Sequence, residues 1–358
     1  MNMTYPASAP RRVWYLDLLR IFATMSVVLL HATPISQLEL DVTSAQWNVL
    51  NGISSMVRWG VPVFFMISGA LFLYPAKKQD TRRLYGKTIL HIATSFAFWS
   101  AVYALVFCAL RGKGKWTFLN QFLRGHYHMW YLFVIVSLYL IVPLLREITK
   151  SRRATEYLLV LGFVFSFCMS RVLGFIQLFD LPHADVLASL QSAYAQSNPY
   201  RSLSALYYFV LGHYLHTYEI GKGLRRTIVF AGLAGLVLTA ILSCWHSRMI
   251  GQTSAHFYDT TSLCVFASAV GMFVLFKYGF SGFDAQGKRA KVILGLAKCS
   301  FGVYLAHPLF IEHLPWPFGQ AAAGLAAGVV LSFAGTCLLS LLVSFVLRCI
   351  PVLNRYIV

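Results

Sequence analysis

Charged residues are scarce in this chain, and acidic residues are the scarcest. Of 358 residues only 12% are charged, with 12 Asp and Glu against 30 Lys and Arg, while 58% are hydrophobic and the mean hydropathy is +0.64. So little charge excludes an ordinary soluble domain, which needs a more polar surface. The composition instead indicates a polytopic membrane protein.

Paired cysteines, polar linkers and a cleavable leader are also lacking. The seven cysteines lie in or beside apolar stretches without paired spacing, which predicts small core residues. No low-complexity stretch or internal repeat divides the chain. Asp17 and Arg20 interrupt the first apolar run, so we expect it to stay in the protein. Together these absences predict one membrane domain over 1–358, without a soluble domain.

What the chain does have is a series of apolar runs long enough to cross a bilayer. With Gly, Pro and charge clusters as breaks, they predict an all-α polytopic membrane protein with about ten transmembrane helices. The predicted spans are 14–34, 54–74, 89–110, 129–145, 157–179, 203–218, 227–244, 257–276, 292–311 and 321–347.

The net charge of +18 raises the question of nucleic acid, but the placement of the charges argues for membrane topology. When loops are assigned alternately to two sides, most basic residues fall on the side of both termini. The positive-inside rule then places the N- and C-termini in the cytoplasm. The loop with Lys113 and Lys115 is the one basic exception. We therefore expect membrane lipids as partners and no nucleic acid.

Arg20 and His31 are two costly polar residues in the first predicted span. Eleven residues at 3.6 per turn leave them about 20° apart in azimuth and roughly 16 Å apart along the axis, so they share a face. Ionisable groups at this depth usually mark a pathway or a reaction centre. A single membrane histidine is more often a packing group, but the pair favours function.

The predicted topology gathers further polar residues into an outer layer with His31, because odd spans run outward and even spans run inward. Its other members are Arg58, His128, Asp259 and His307. His126 and His128 are two residues apart, so on a helix they point to different sides and make a poor metal pair. Trp130 suits an interfacial aromatic belt.

A second, inner layer lies at the Arg20 end of the first span. Asp17 is three residues before Arg20, a spacing at which side chains meet, and it suits either donor binding or only the neutralisation of that arginine. Arg82, Arg83 and Lys87 follow the second span and suit either a cationic entrance or topogenic charges facing lipid head groups. Ser68-Gly69 suits close helix contact or a covalent way station.

At these residues the sequence resembles the acyltransferase family 3 membrane proteins, and particularly the branch of enterobacterial common antigen O-acetyltransferases. The similar segments follow one another in family order over essentially the whole chain. They are Tyr15-Leu-Asp-Leu-Leu-Arg-Ile-Phe-Ala, Arg58-Trp-Gly-Val-Pro-Val-Phe-Phe-Met-Ile-Ser-Gly69, His128-Met-Trp-Tyr-Leu, Pro143-Leu-Leu-Arg146, Tyr208-Phe-Val-Leu-Gly212 and Ser300-Phe-Gly-Val-Tyr-Leu-Ala-His307-Pro.

The resemblance implies a ten-helix enzyme of the bacterial inner membrane. Such enzymes move an acyl group, usually acetyl, from a cytoplasmic coenzyme A thioester to a hydroxyl of a cell-surface or lipid-linked glycan. Arg20 and His31 match the family's Arg-(ten residues)-His motif, and His31 is then the expected general base. Acetyl-CoA is expected as donor substrate, without a metal. A separate extracytoplasmic partner and homo-oligomers are left open.

We assign the remaining candidate residues to three tasks within this implied reaction. His128 and His307 are further catalytic candidates that orient His31 or serve the acceptor. The donor is expected at Arg20, Asp17, Arg82, Arg83 and Lys87, and the acceptor at Arg58, Trp130 and Asp259. The family often has an Arg-x-x-Arg motif after the second span, whereas this chain reads Thr81-Arg-Arg-Leu-Tyr-Gly-Lys87.

Two other classes of function fit a polar stripe through a helix bundle. A glycolipid or polysaccharide transporter or flippase needs such a stripe, but the sequence lacks the paired interrupted helices of an inverted repeat. A sensor or scaffold would leave the cost of the buried Arg and His unexplained. Transfer from acetyl-CoA would indicate the enzyme, and movement of unmodified glycan would indicate the transporter. Neither activity would indicate the sensor or scaffold.

Overall fold

Helices make up the fold, and no β-strand occurs in the residues that the computed structural model describes, which are 12–34, 39–74, 81–168, 199–314, 316 and 321–358. In chain order the helices are α1 (Trp14–Ala32), α2 (Ala45–Met56), α3 (Gly60–Phe72), α4 (Thr81–Arg111), α5 (Lys115–Arg124), α6 (Trp130–Leu140), α7 (Val142–Thr149), α8 (Arg152–Phe163), α9 (Pro199–Thr217), α10 (Lys222–Ile250), α11 (Leu263–Gly279), α12 (Gly287–His313), α13 (Ala322–Cys349) and α14 (Pro351–Tyr356). A 3₁₀ turn, Tyr127–Met129, precedes α6, and π-helical segments occupy Leu84–Ile89 within α4 and Val164–Cys168 after α8.

Six helices within the described ranges are long and apolar enough to cross a membrane. They are Trp14–Ala32, Ala45–Phe72, Thr81–Arg111, Lys222–Ile250, Gly287–His313 and Ala323–Cys349. A seventh span results if Lys115–Leu140 and Val142–Thr149, which meet at 58°, cross as one bent unit. The chain is therefore a multi-pass membrane protein, while the count of ten spans and the side of the termini stay predictions.

Three predicted spans differ from the helices at their positions. The second, 54–74, begins earlier at Ala45 and is interrupted by a turn over 57–59, so Arg58 lies in a break between α2 and α3. The fourth, 129–145, bends before Pro143, which has no N–H to continue the helical ladder.

The eighth predicted span, 257–276, starts only at Leu263, because Asp259 closes a local turn before it. The second half of the fifth, 169–179, lies outside the described residues.

α1 lies at the centre of the bundle and positions both residues of the pair found in the sequence. It packs chiefly against α12 and α3, and also against α13 and α11. Leu16, Leu19, Ala23 and Val27 are buried along it at helical spacing. Because neighbouring helices cover most of α1, its polar side chains face protein rather than lipid.

α3 and α9 are held at unusually close range by two glycines. A Cβ atom on Gly69 would lie 1.6 Å from the Phe209 carbonyl oxygen, and one on Gly212 would lie 2.0 Å from the Met66 carbonyl oxygen. Small residues let helix backbones approach where lipid leaves no hydrophobic drive for association. The Ser68-Gly69 motif therefore has a packing role, as one of its two interpretations predicted.

Candidate active site

A histidine pair joins the His31 end of α1 to α12. His31 Nδ1 and His307 Nε2 are 2.7 Å apart, and the two rings are nearly parallel with centroids 5.0 Å apart. His307 is fully buried and His31 is half-buried. Two side chains separated by 276 positions thus form one hydrogen-bonded unit.

Hydrogen bonding fixes where the protons lie in the neutral pair. His307 Nδ1 is 2.7 Å from the Tyr304 carbonyl oxygen, which can only accept, so this nitrogen carries the proton. His307 Nε2 then accepts from the N–H at His31 Nδ1, and His31 Nε2 keeps its lone pair. A neutral imidazole with an unprotonated Nε2 is the form that a general base requires.

Pro308 explains why the Tyr304 carbonyl is available to a side chain. In a regular α-helix the N–H of residue 308 would bond this oxygen, but proline has no N–H. α12 continues through Pro308, and His307 Nδ1 takes the freed carbonyl. The sequence His307-Pro308 therefore supplies both the histidine and the acceptor that sets its tautomer.

His128 lies beside this pair, buried at the start of α6. Its ring centroid is 5.3 Å from that of His307, and the Tyr304 hydroxyl donates to the His128 carbonyl at 2.5 Å. His126 Nδ1 is 3.0 Å from His128 Nδ1, so the two rings meet. Their predicted divergence is wrong because residues 127–129 form a 3₁₀ turn. We call His31, His126, His128 and His307 the histidine cluster.

Arg58 approaches the histidine cluster from the break between α2 and α3. Its guanidinium lies over the Tyr258 ring, 4.0 Å from the centroid, and donates to Ser54 Oγ at 2.6 Å. Its charge is within electrostatic reach of His31. Its buried Nε has no hydrogen-bond partner among the described residues. Arg58 therefore has one guanidinium donor that the described residues do not satisfy.

A second feature is a cavity of about 360 Å³ at the Arg20 end of α1, which we call the Arg20 cavity. Its walls come from α1, α3, α4, α6, α12 and α13, and they include Ser68, Tyr131, Tyr139 and Tyr304. Tyr304 also contacts His128 and His307, so it connects the cavity wall to the histidine cluster. No described residue forms an ion pair or side-chain hydrogen bond with Arg20 in this structure.

Two further cations line the Arg20 cavity that sequence reasoning did not assign to it. They are Lys298 on α12 and Arg348 on α13, and no acidic side chain is found among the cavity's described lining residues. Arg348 also donates to the Lys298 carbonyl oxygen at 3.3 Å, which ties α13 to α12. Nothing local in the sequence links either residue to Arg20, because they lie 278 and 328 positions further along the chain.

The other predicted donor residues lie away from this cavity. The Asp17 carboxylate accepts from Arg12 Nε at 2.7 Å and from Arg12 Nη2 at 3.0 Å, so the expected pairing with Arg20 is wrong. Arg82, Arg83 and Lys87 are exposed on the first turns of α4, whereas α4 contributes Thr88, His91 and Ile92 to the cavity lining. These three cations therefore lie no closer to the Arg20 cavity than its rim.

A second cavity, of about 480 Å³, opens beside His126 and is called the His126 cavity. Trp130 lines it together with Tyr127, Arg124 and Glu312. Asp259, the other predicted acceptor residue, does not reach it, because its carboxylate accepts from the Thr261 N–H and hydroxyl at 2.8 and 2.7 Å.

The arrangement defines what chemistry the site can perform. The histidine cluster offers an unprotonated imidazole nitrogen near the Arg58 cation, and the Arg20 cavity offers three cations beside an apolar wall. Across the described ranges, no three His, Cys, Asp or Glu side chains are placed to hold a metal ion. A base next to a positive charge suits group transfer through an oxyanion.

A multi-pass helical protein with such a centre fits the class of membrane-bound transferases. The family model described as an acyltransferase domain matches residues 13–349, so the chain belongs to acyltransferase family 3 and is a membrane enzyme that transfers acyl groups. No curated protein and no solved structure matched the chain.

Proposed function

We propose that this enzyme moves an acyl group, most simply acetyl, from acyl-CoA in the Arg20 cavity to a hydroxyl of a surface or lipid-linked polysaccharide. One observation carries the proposal: a cavity lined by Arg20, Lys298 and Arg348, with no acidic side chain among its described lining residues, shares Tyr304 with the histidine cluster. Arginine binds phosphate through a bidentate fork, and the apolar wall suits the pantetheine arm.

The proposed reaction balances without any further reactant. The acceptor hydroxyl oxygen attacks the thioester carbonyl carbon while His31 Nε2 takes the hydroxyl proton. Arg58 stabilises the oxyanion that forms. The carbon–sulfur bond then breaks, and the imidazolium returns its proton to the departing thiolate. Products are the acylated glycan and free coenzyme A.

Topology supplies the direction of transfer in this proposal. The positive-inside pattern places the Arg20 end toward the cytoplasm of a bacterial inner membrane, where acyl-CoA is made. The His31 end then faces outward, and the His126 cavity with Trp130 provides an aromatic surface for a sugar ring. The more specific assignment to the enterobacterial common antigen branch belongs to this same proposal.

Mass spectrometry of surface glycans tests the acceptor and the acyl group together. Cells with the gene should carry a glycan heavier by one acyl increment than cells without it, and purified protein should release coenzyme A thiol from acetyl-CoA only when that glycan is present. Movement of unmodified glycan across vesicles, without any acyl transfer, would favour a transporter instead.

A further inference from the structure

Glu312 and His126 form a second hydrogen-bonded chain that ends at His128. His126 Nε2 is 3.3 Å from Glu312 Oε2, and His126 Nδ1 is 3.0 Å from His128 Nδ1. Glu312 is on the last turn of α12, whereas both histidines precede α6. Three side chains from two distant segments thus form one chain, in which His126 contacts the Glu312 carboxylate through Nε2 and His128 through Nδ1.

The order of the protons from Glu312 to His128 follows from the carboxylate, which is an obligate acceptor. A carboxylate only accepts, so His126 Nε2 carries a proton and donates it to Glu312. In neutral His126 the Nδ1 atom then has the lone pair, and it accepts from the N–H at His128 Nδ1. His128 Nε2 is left unprotonated. This nitrogen is buried and has no hydrogen-bond partner among the described residues.

Packing holds the middle of the chain in place. The Tyr103 ring stacks on His126 with centroids 4.1 Å apart and planes 15° apart, and its hydroxyl donates to the Leu305 carbonyl at 2.7 Å. Gly125 precedes His126 with φ of 70°, where a side chain is strained and a Cβ would lie 2.8 Å from Phe96. The backbone turn and the stacked ring leave His126 little freedom.

We propose that Glu312 and His126 are positioning residues that hold His128 with Nε2 unprotonated, so that this buried nitrogen is available as an acceptor when a sugar hydroxyl enters the histidine cluster. This role rests on the proposed glycan acyl transfer. Glu312 and His126 line the His126 cavity, and His128 is 5.3 Å from His307 between ring centroids. The chain therefore runs from the cavity suited to the acceptor toward the base.

Substitutions of Glu312 and His126 test the proposal by steady-state kinetics. Glu312→Ala removes the obligate acceptor and should lower kcat by about tenfold or more, with the KM for acetyl-CoA unchanged. Glu312→Gln keeps an amide oxygen that accepts from His126, so it should recover most of kcat. His126→Phe keeps the stacking on Tyr103 but lacks both nitrogens, so it should match Glu312→Ala. Glu147→Ala, at an exposed carboxylate paired with Lys150, is the control.

A spectroscopic readout separates failure of this inference from failure of the proposed reaction. In protein labelled with ¹⁵N-histidine, His128, assigned with a His128→Ala variant, should show a protonated Nδ1 in the wild type and lose that preference in Glu312→Ala and His126→Phe. An unchanged His128 tautomer, or kcat within twofold of wild type in both variants, would overturn the inference. A rise in the KM for the acceptor, with kcat and the His128 tautomer unchanged, would overturn the inference and make Glu312 a direct sugar contact instead.

Discussion

The two ends of α1 differ in how far their polar groups are already satisfied. At the His31 end, His31 donates to His307, and His307 donates to a carbonyl that Pro308 leaves free. At the Arg20 end, the guanidinium faces a cavity of about 360 Å³ without an ion-pair partner among the described residues. One end is an ordered hydrogen-bond chain, and the other is a cation without a counter-charge in the part of the chain that the structure describes.

The two ends of α1 therefore suit two different tasks. Catalytic groups work best when their geometry is fixed before the substrate arrives, because no reorganisation is then needed in the reaction. A ligand site for phosphates instead needs charge that its own fold has not neutralised. We therefore expect mutations at the His31 end to change kcat and mutations at the Arg20 end to change donor affinity.

His307→Leu should have the largest effect among the tests of this division. Without His307 Nε2 the His31 tautomer is no longer fixed, so kcat should fall by about 100-fold while the KM for acetyl-CoA stays near wild type. His246→Leu is a matched control, since His246 bonds only to Ser254 in the described hydrogen-bond set. A kcat within twofold of wild type in His307→Leu would remove the pair from the mechanism.

Gly69→Ala should separate packing from chemistry in the motif shared with the family. Its Cβ would collide with the Phe209 carbonyl oxygen, so unfolding free energy should fall by about 1–3 kcal/mol or more. Thermal unfolding in detergent measures this loss. Gly52→Ala, whose Cβ would meet nothing within 4 Å, should leave the melting temperature unchanged or raise it. Equal stability of both variants would contradict the close contact of α3 and α9.

Lys298→Ala and Arg348→Ala test whether the Arg20 cavity binds the donor. Each removes one of the three cations of the cavity, so the KM for acetyl-CoA should rise about tenfold with kcat nearly unchanged. The effect should shrink at high salt, because ions screen a partly exposed charge. A fall in kcat at constant KM would place these cations in the chemical step.

Arg82→Ala, Arg83→Ala and Lys87→Ala should have the smallest effects. These side chains are exposed on the first turns of α4, near the rim of the Arg20 cavity. Each substitution should therefore raise the donor KM by less than about fivefold. Steady-state kinetics at low ionic strength is the sensitive assay. If any of them exceeds the effect of Arg348→Ala, the loop after the second span is the main donor site.

Helical spacing and topology predicted part of the site. The eleven-residue interval placed Arg20 and His31 on one face, and alternating spans placed His307 and His128 in the layer of His31. These predictions need only helix geometry, and the contacts at 2.7 and 5.3 Å agree with them. Spacing could not predict that His31 Nε2 is unprotonated, because this tautomer depends on a carbonyl freed by Pro308.

Other parts of the site depend on local turns, ion-pair partners and helix packing, which residue spacing alone predicts wrongly or not at all. His126 was set aside because a helix was assumed, and Gly125, with its positive φ, was the available signal of a turn. Asp17 was expected beside Arg20 at three residues, but Arg12 takes both of its oxygens from five residues away. Lys298 and Arg348 reach the Arg20 cavity only through helix packing.

Coenzyme A binding and acyl transfer, measured on the same preparations of His31→Ala and Arg20→Ala, test the division between the two ends of α1 most directly. We expect His31→Ala to bind acetyl-CoA with the wild-type Kd but to transfer no acyl group, and Arg20→Ala to bind the donor about tenfold more weakly. Wild-type transfer by His31→Ala, or equal loss of donor binding in both variants, would contradict it.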